Sequence, residues 1–270
     1  MREPVSIAII TYNEERNLGD CIRSCEGVAE EIVVLDSFST DRTEEIARSF
    51  PKVRFATHAF DGHVAQKNRA LGLCRNDWVL SLDADERLTP ELREQIRLLE
   101  PGDRVGFRVS RATWLMGRAM RHSGMYPDRR FRLFRRTRAR WVGADPHDFI
   151  VIDGPGGDLR GDLLHYSFAD LADHVDTLNR FSSIVAMNRA HRGRRFRAGL
   201  AVVKPFAKFL ENYLWKLGFL EGFHGFTASA TYAFQTFLNL AKVYELERGI
   251  VERPSNVRRD YRPQEPGDGA

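Results

Sequence analysis

The residues with the plainest chemistry are Asp83 and Asp85, in the run Ser81-Leu82-Asp83-Ala84-Asp85-Glu86. Two carboxylates one residue apart, at the end of an apolar segment, suit a hard divalent cation such as Mg²⁺ or Mn²⁺ held together with substrate phosphates. An isolated pair of this kind is equally well explained as a solvated acidic turn. Here the apolar run before it and a matching Asp36 at the end of an earlier apolar run favour metal and phosphate. Glu14 and Glu15 form a third acidic cluster, again directly after a short apolar stretch.

These acids matter together only if the chain gathers them. Residues 5–11 are apolar and β-branched and predict a strand, with a helix following to about Cys25. Residues 32–35 predict a second strand that ends at Asp36. Asp41 and Glu44 have capping-box spacing for a helix through Phe50. Residues 53–57 predict a third strand, 64–73 a helix, and 78–82 a fourth strand that runs into Asp83. Thr89, Pro90 and Glu91 have N-cap, first-position and first-turn character for a helix to about Leu99. Strands alternating with helices at this spacing imply a parallel sheet with helices on both faces, and ligands of such sheets bind beyond the carboxyl ends of the strands. All three acidic clusters sit at predicted strand ends, so they should converge on one crevice.

From residue 106 to 165 the texture changes to short β segments rich in Arg, Gly and aromatics, clearest at 107–112 and 131–135. Residues 169–247 have a helical pattern, and 251–270 are rich in Pro, Gly and charge, which predicts a disordered tail. The 270 residues are 43% hydrophobic and 29% charged, as expected of a globular chain, with a formal net charge of +4. That mild basicity suits an acidic substrate or an anionic membrane and equally allows nucleic acid. Cys21, Cys25 and Cys74 lack the partners of a zinc site or a disulfide framework and are expected to be buried thiols in a reducing compartment. The N-terminal residues do not read as a signal peptide, and no run of apolar residues is long enough to span a bilayer. The expected location is the cytoplasm, peripheral on the cytoplasmic face of the inner membrane.

Ile9-Ile10-Thr11-Tyr12-Asn13-Glu14, Val33-Val34-Leu35-Asp36 with Ser39-Thr40-Asp41, and Leu82-Asp83-Ala84-Asp85 resemble, in order and spacing, the three signatures of family 2 inverting glycosyltransferases with the GT-A fold. More narrowly, Gln66-Lys67-Asn68, Tyr126-Pro127 with Arg132-Leu133-Phe134, and His165-Tyr166-Ser167 are similar to bacterial lipopolysaccharide-core β-1,4-glucosyltransferases. The resemblance implies an α/β GT-A catalytic domain over residues 1–168. Its first hundred residues would bind the nucleotide sugar and residues 101–168 the acceptor, with a helical region at 169–250 and the tail beyond. Thr11, Tyr12, Asn13 and Glu14 would line the nucleotide pocket, with Tyr12 beside the base. Asp36 would hydrogen-bond the uracil or ribose, Asp83 would face the ribose, and Asp85 would bind the metal that bridges the diphosphate. Lys67, at the start of a turn, would reach the donor. The resemblance also implies a carboxylate base after the donor half: Asp148 is preferred and Asp145 is its rival, at a place where relatives carry His-Glu. His165 is placed as a late metal ligand. The implied substrates are a UDP-sugar, with UDP-glucose first, and a lipid-linked or lipopolysaccharide-core saccharide.

Arg189, Arg192, Arg194, Arg195, Arg197, Lys204 and Lys208 precede and overlap an apolar pattern of helical spacing, and the stretch 222–241 carries no Lys, Arg, Asp or Glu. It is too polar to span a membrane and suits a helix lying at an anionic interface, or a helical pair packed on protein. A haloacid-dehalogenase-type phosphatase also uses two aspartates at a strand end, but it wants Thr or Val where Arg87 stands. A nucleic-acid binder would rest only on charge, and acids at the crevice oppose it.

Overall fold

The computed structural model describes residues 3–144 and 147–257, so Asp145 and residues 258–270 of the expected tail lie outside the described residues. The chain divides into two compact units: residues up to Thr113 with Pro127–Tyr166, and Trp114–Tyr126 with the residues from Ser167 on.

The first unit is built on β1 (Val5–Thr11), β2 (Ala29–Asp36), β3 (Val53–Thr57) and β4 (Trp78–Asp83), joined by α1 (Leu18–Ser24), α2 (Thr43–Arg48) and α3 (His63–Leu73). These four strands are parallel in the order β3-β2-β1-β4. The remaining elements are β5 (Glu86–Leu88), α4 (Pro90–Leu98), β6 (Gly106–Leu115), β7 (Arg118–Ala119), β8 (Asp128–Arg135), β9 (Ala139–Ala144), β10 (His147–Ile152) and β11 (Gly156–His165). The sheet continues from β4 through β8, β6, β11 and β5, with β8 antiparallel to β4. β9 and β10 form a separate antiparallel pair.

Strand alternation gives the sheet two apolar faces. Ile7, Ile9, Val34 and Leu80 pack with Leu18, Cys21, Leu92 and Ile96 from α1 and α4. Ala8, Val33, Leu35 and Val79 pack with Ala70 and Leu71 of α3 and with Trp141 and Ile150 of the β9–β10 pair. All three cysteines are free and buried, as the sequence predicts. Thr89 caps α4 by accepting from Leu92 N at 3.3 Å, with Pro90 at the first position. The capping box expected at α2 is not made. Asp41 instead accepts from Thr43 N and Thr43 Oγ1, Glu44 pairs with Arg48, and the helix stops at Arg48.

In the second unit α5 (Leu171–His191), α6 (Ala198–Leu210) and α7 (Phe223–Glu247) form a bundle in which α7 packs on both α5 and α6. Lys242 of α7 donates to Asn179 O, Ser182 Oγ and Ser183 Oγ of α5 at 2.6–2.8 Å. Gly225 is required by close approach, because a Cβ there would lie 1.8 Å from Gly218 O. The stretch 222–241 forms most of α7, which packs on α5 and α6 and still leaves several phenylalanines exposed. Thr227, Ser229 and Thr231 bond their hydroxyls to α7's own carbonyls, which lets Thr227 and Ser229 be buried. Exposed apolar residues lie on α6 and its connection to α7, where Val202, Phe206, Trp215 and Leu220 are more than half exposed, and on α7 itself at Phe223, Phe226, Phe234 and Phe237. No helix among the described residues is long and apolar enough to cross a membrane.

Candidate active site

Sheet register brings the acids together. Thr11 of β1 lies opposite Asp36 of β2, and Ile10 lies opposite Asp83 of β4, so three neighbouring strand ends open on one edge. After Asp83 the chain turns at Ala84-Asp85 into β5, whose Glu86 pairs with His165 at the end of β11. That return sets His165 Nε2 3.1 Å from Asp85 Oδ2, while Tyr166 N donates to Asp85 O at 2.9 Å.

The loops beyond β1 and β2 are laced together. Asp36 is buried and accepts from Ser39 N at 2.7 Å and Ser39 Oγ at 2.5 Å. Asn13 N donates to Ser39 Oγ at 2.7 Å, and Thr40 N donates to Asn13 Oδ1 at 2.8 Å. Glu14 N donates to Thr43 Oγ1 at 2.8 Å. Asn13 and Phe38 hold positive φ, 54° and 61°, a region that costs a residue with a side chain about 1–2 kcal/mol. On this scaffold Tyr12 and Phe38 stand 59% exposed, two aromatic rings offered to solvent at the mouth of the crevice. Thr11 is buried, and its Oγ1 has no hydrogen-bond partner among the described residues.

Lys67 stands within a helix and not at the start of a turn. It lies in the second turn of α3, is only 7% exposed, and is not free to swing. Its Nζ lies 3.0 Å from Asp83 Oδ1 and donates to Asp148 Oδ2 at 2.8 Å, with Trp141 beneath it at 4.3 Å from the ring centroid. Its neighbours are equally committed. Gln66 Nε2 donates to Ser37 Oγ at 3.1 Å, and Asn68 both donates to Trp141 O and accepts from Trp141 N at 2.9 Å. One ammonium thus joins the strand that carries the Asp83–Asp85 pair to the β10 carboxylate.

Residues 6–152 match the family described as Glycosyl transferase family 2. The chain belongs to glycosyl transferase family 2. Its mostly parallel, helix-flanked sheet with C-terminal helices is the GT-A-like fold expected from sequence. Lipopolysaccharide core biosynthesis glycosyltransferase LpsC of Rhizobium meliloti (strain 1021) is 36% identical over 264 residues, spanning 93% of this chain and 96% of its own. An uncharacterized glycosyltransferase of Rickettsia typhi is 31% identical over 257 residues, spanning 90% of this chain and 87% of its own. Among solved structures the chain is similar to S. aureus TarS 1–349, at 13% identity and a TM-score of 0.46 over 91% of this chain and 92% of that one. It is also similar to Mycobacterium tuberculosis glucosyl-3-phosphoglycerate synthase in complex with Mn²⁺ and UDP-glucose, at 22% identity and a TM-score of 0.33 over 42% and 44%.

In this glycosyltransferase the charges of the crevice are strongly coupled. Burial works against the Asp83 carboxylate, but Lys67 and Arg132 outweigh it and hold Asp83 well below the usual range. Burial likewise opposes the Lys67 ammonium, and Asp83 with Asp148 more than restores it. Burial pushes Glu86 up against the pull of Arg132. Glu14 is pushed up to about 7, chiefly by burial; the Asn17 hydrogen bond opposes this, and Asp85, Asp41 and Asp83 add to it.

Three participants were not singled out from sequence. Arg132 of β8 is 3% exposed, and its Nη2 donates to Glu86 Oε1 at 2.6 Å and Asp83 Oδ2 at 3.2 Å. Glu86 is fully buried and accepts from Asp83 N at 3.0 Å, so it fixes the turn that presents Asp85. Phe38 is the third. The available signal for Arg132 was its place between Phe131 and Leu133-Phe134 in the quoted Arg132-Leu133-Phe134 motif, where an arginine must be paired if it is buried. Phe38 left no comparable pattern. Among the described residues no group of three His, Cys, Asp or Glu could by itself hold a metal ion.

Proposed function

We propose that this glycosyltransferase moves a hexose, in the first instance glucose from UDP-glucose, to a hydroxyl of a lipid-linked or lipopolysaccharide-core saccharide, with inversion at the anomeric carbon. The supporting observation is that the Lys67 ammonium is shared by Asp83, beside the donor acids, and Asp148, on the acceptor side. The name of the Rhizobium relative supports the acceptor class.

In this scheme Tyr12 and Phe38 flank the base, Thr11, Asn13 and Glu14 line the nucleotide, and Asp36 and Asp83 meet the nucleoside. Lys67 reaches the donor half through Asp83. Asp85 and His165 fit a divalent cation, offering one carboxylate oxygen and one imidazole nitrogen at one edge and leaving the other positions to phosphate. Bound there, the cation would offset the charge left on the departing diphosphate. The acceptor oxygen bonds to the anomeric carbon as the bond to the diphosphate breaks, and the hydroxyl proton passes to Asp148. Oδ2 of Asp148 accepts from Lys67 Nζ at 2.8 Å, which would orient the carboxylate for that proton. The decisive test is a donor assay with Mn²⁺ and core oligosaccharide, reading UDP release and, by NMR, the configuration of the new bond. An α-glycoside formed from the α-linked donor would overturn inversion, and release of inorganic phosphate in place of UDP would overturn transfer.

The helical unit carries a membrane component of the same proposal. Trp215, 88% exposed, and its apolar neighbours lie near Lys204 and Lys208 in sequence, the pairing of wedge and cation that suits an anionic bilayer surface. Co-sedimentation with phosphatidylglycerol vesicles that weakens with salt is expected, and indifference to such vesicles at low salt would sink this component.

A further inference from the structure

The catalytic unit contains a cavity of about 400 Å³ whose lining holds both Asp83 and Asp148, within the roughly 300–1,000 Å³ of small-molecule pockets. Its walls carry Lys67, Arg108, Arg111, Arg129, Arg130 and Arg132, six cationic side chains against the three carboxylates Asp83, Asp128 and Asp148. A neutral sugar needs hydroxyl and amide partners, and no such excess of guanidinium groups. We propose that this is the acceptor pocket and that it selects an acceptor bearing an anionic group, a phosphate or a carboxylate, close to the hydroxyl that is glycosylated. The assignment rests on the transferase function proposed above.

The distribution of the charges supports an anion specifically. Arg111 and Arg130 share one carboxylate of the lining, Asp128, at 2.7 and 2.8 Å, and Arg111 also lies 3.7 Å from Glu86 behind the wall. Arg108 pairs with Asp158, which does not line the cavity. Arg129 has no ion-pair partner among the described residues and stands exposed at the rim. Behind the lining, inaccessible to solvent, Arg132 Nε and Nη1 and Trp141 Nε1 have no hydrogen-bond partners among the described residues. Buried donors left unsatisfied are costly, and guanidinium groups in a fixed fork match phosphate and carboxylate oxygens two at a time. The accessible wall therefore keeps a positive excess beside Asp148, carried by Arg129 and by the shared Arg111–Asp128–Arg130 cluster.

Titration calorimetry on the full chain in EDTA, with D-glucose 6-phosphate, D-glucuronate and D-glucose as probes, tests this without requiring turnover. At least one of the two anionic sugars should bind at least about tenfold more tightly than glucose, and its affinity should fall with added NaCl. Preference for the first assigns the pocket to phosphate, and preference for the second to carboxylate. The exposed double variant Arg129→Gln/Arg130→Gln should weaken that binding at least about tenfold with an unchanged melting temperature. Equal affinity for charged and neutral sugars, no binding of either anion at millimolar concentration, or an affinity unmoved in the double variant would each overturn the proposal. UDP-glucose with Mn²⁺, titrated into the same proteins after exchange into EDTA-free buffer, reads the donor side separately. Loss of that binding alone would overturn the transferase scheme while leaving the anion site standing.

Discussion

The two units of the molecule invert the usual division between inside and outside, in opposite senses. The catalytic unit buries charge: Lys67, Glu86 and Arg132 are each under a tenth exposed and are tied to one another through Asp83. The helical unit exposes apolar surface, with Trp215, Val202, Phe223 and Phe206 in solvent and small residues inside. Buried ion pairs contribute little net stability against an apolar packing of the same volume, so their presence marks a site where charge must be held at fixed positions. Exposed aromatics cost little where they stand and mark a surface meant to be covered. One unit stores its specialisation as electrostatics, the other as wettability.

The comparison is broken most sharply by Asp148→Asn. Transfer should fall about 10³-fold, while UDP and Mn²⁺ still bind, as read by initial rates and calorimetry. Retained activity would remove Asp148 from the base role. Lys67→Met comes next. It leaves Asp83 and Asp148 without their shared cation and should cost about 3–5 kcal/mol of stability in urea titration. A cost near zero would show that the charge network is not fixed by that lysine. In the helical unit Glu221→Gln is the matched change. Glu221 is buried and accepts from Arg121 N and from His122 Nδ1 at 2.8 Å, and it pairs with Arg118. Burial pushes its carboxyl up, but His122, the Arg121 amide and Arg118 outweigh that and hold it below the usual range. The loss should be smaller, about 1–3 kcal/mol, because Arg118 and His122 keep contact with water.

A subtler difference lies in pH. Glu14 titrates at about 7 in the folded chain against an ordinary 4.5, so the folded state holds the extra proton between those values. Its contribution is complete below about 4.5 and is lost as pH rises through about 7, so metal-free protein should become less stable between pH 5 and 8. Glu14→Gln should flatten that slope in thermal scans. Trp215→Ser should move stability least, within about 0.5 kcal/mol, yet reduce vesicle binding. An equal loss of stability would mean the indole is packed and not presented.

Much of the first hundred residues was legible because strand ends are marked by chemistry: apolar runs that stop at Asp36 and Asp83 specify both the sheet and what lies on its edge. The pairing of Asp83 with Asp85 at the end of an apolar run pointed to a hard cation held together with phosphates. The burial of Lys67 was not legible because a helical lysine is ordinarily solvated, and the packing of β9 and β10 over α3 makes it a buried partner. Arg132 and Glu86 were hidden for the same reason, since their pairing spans 46 residues. In the helical unit, polarity at 227–231 ruled out a span but did not show burial, because helical threonines and serines can satisfy themselves on the preceding turn.

Three successive residues of α3, Gln66, Lys67 and Asn68, serve three different clients: the loop after β2, the paired acids and the backbone of β9. Consecutive helical side chains diverge by about 100°, so this triple duty ties the site to the rotational phase of one short helix. A one-residue deletion between His63 and Gln66 would advance all three side chains by the same angle and misdirect each of them at once. The length of this helix is therefore as much a part of the active site as any side chain in it.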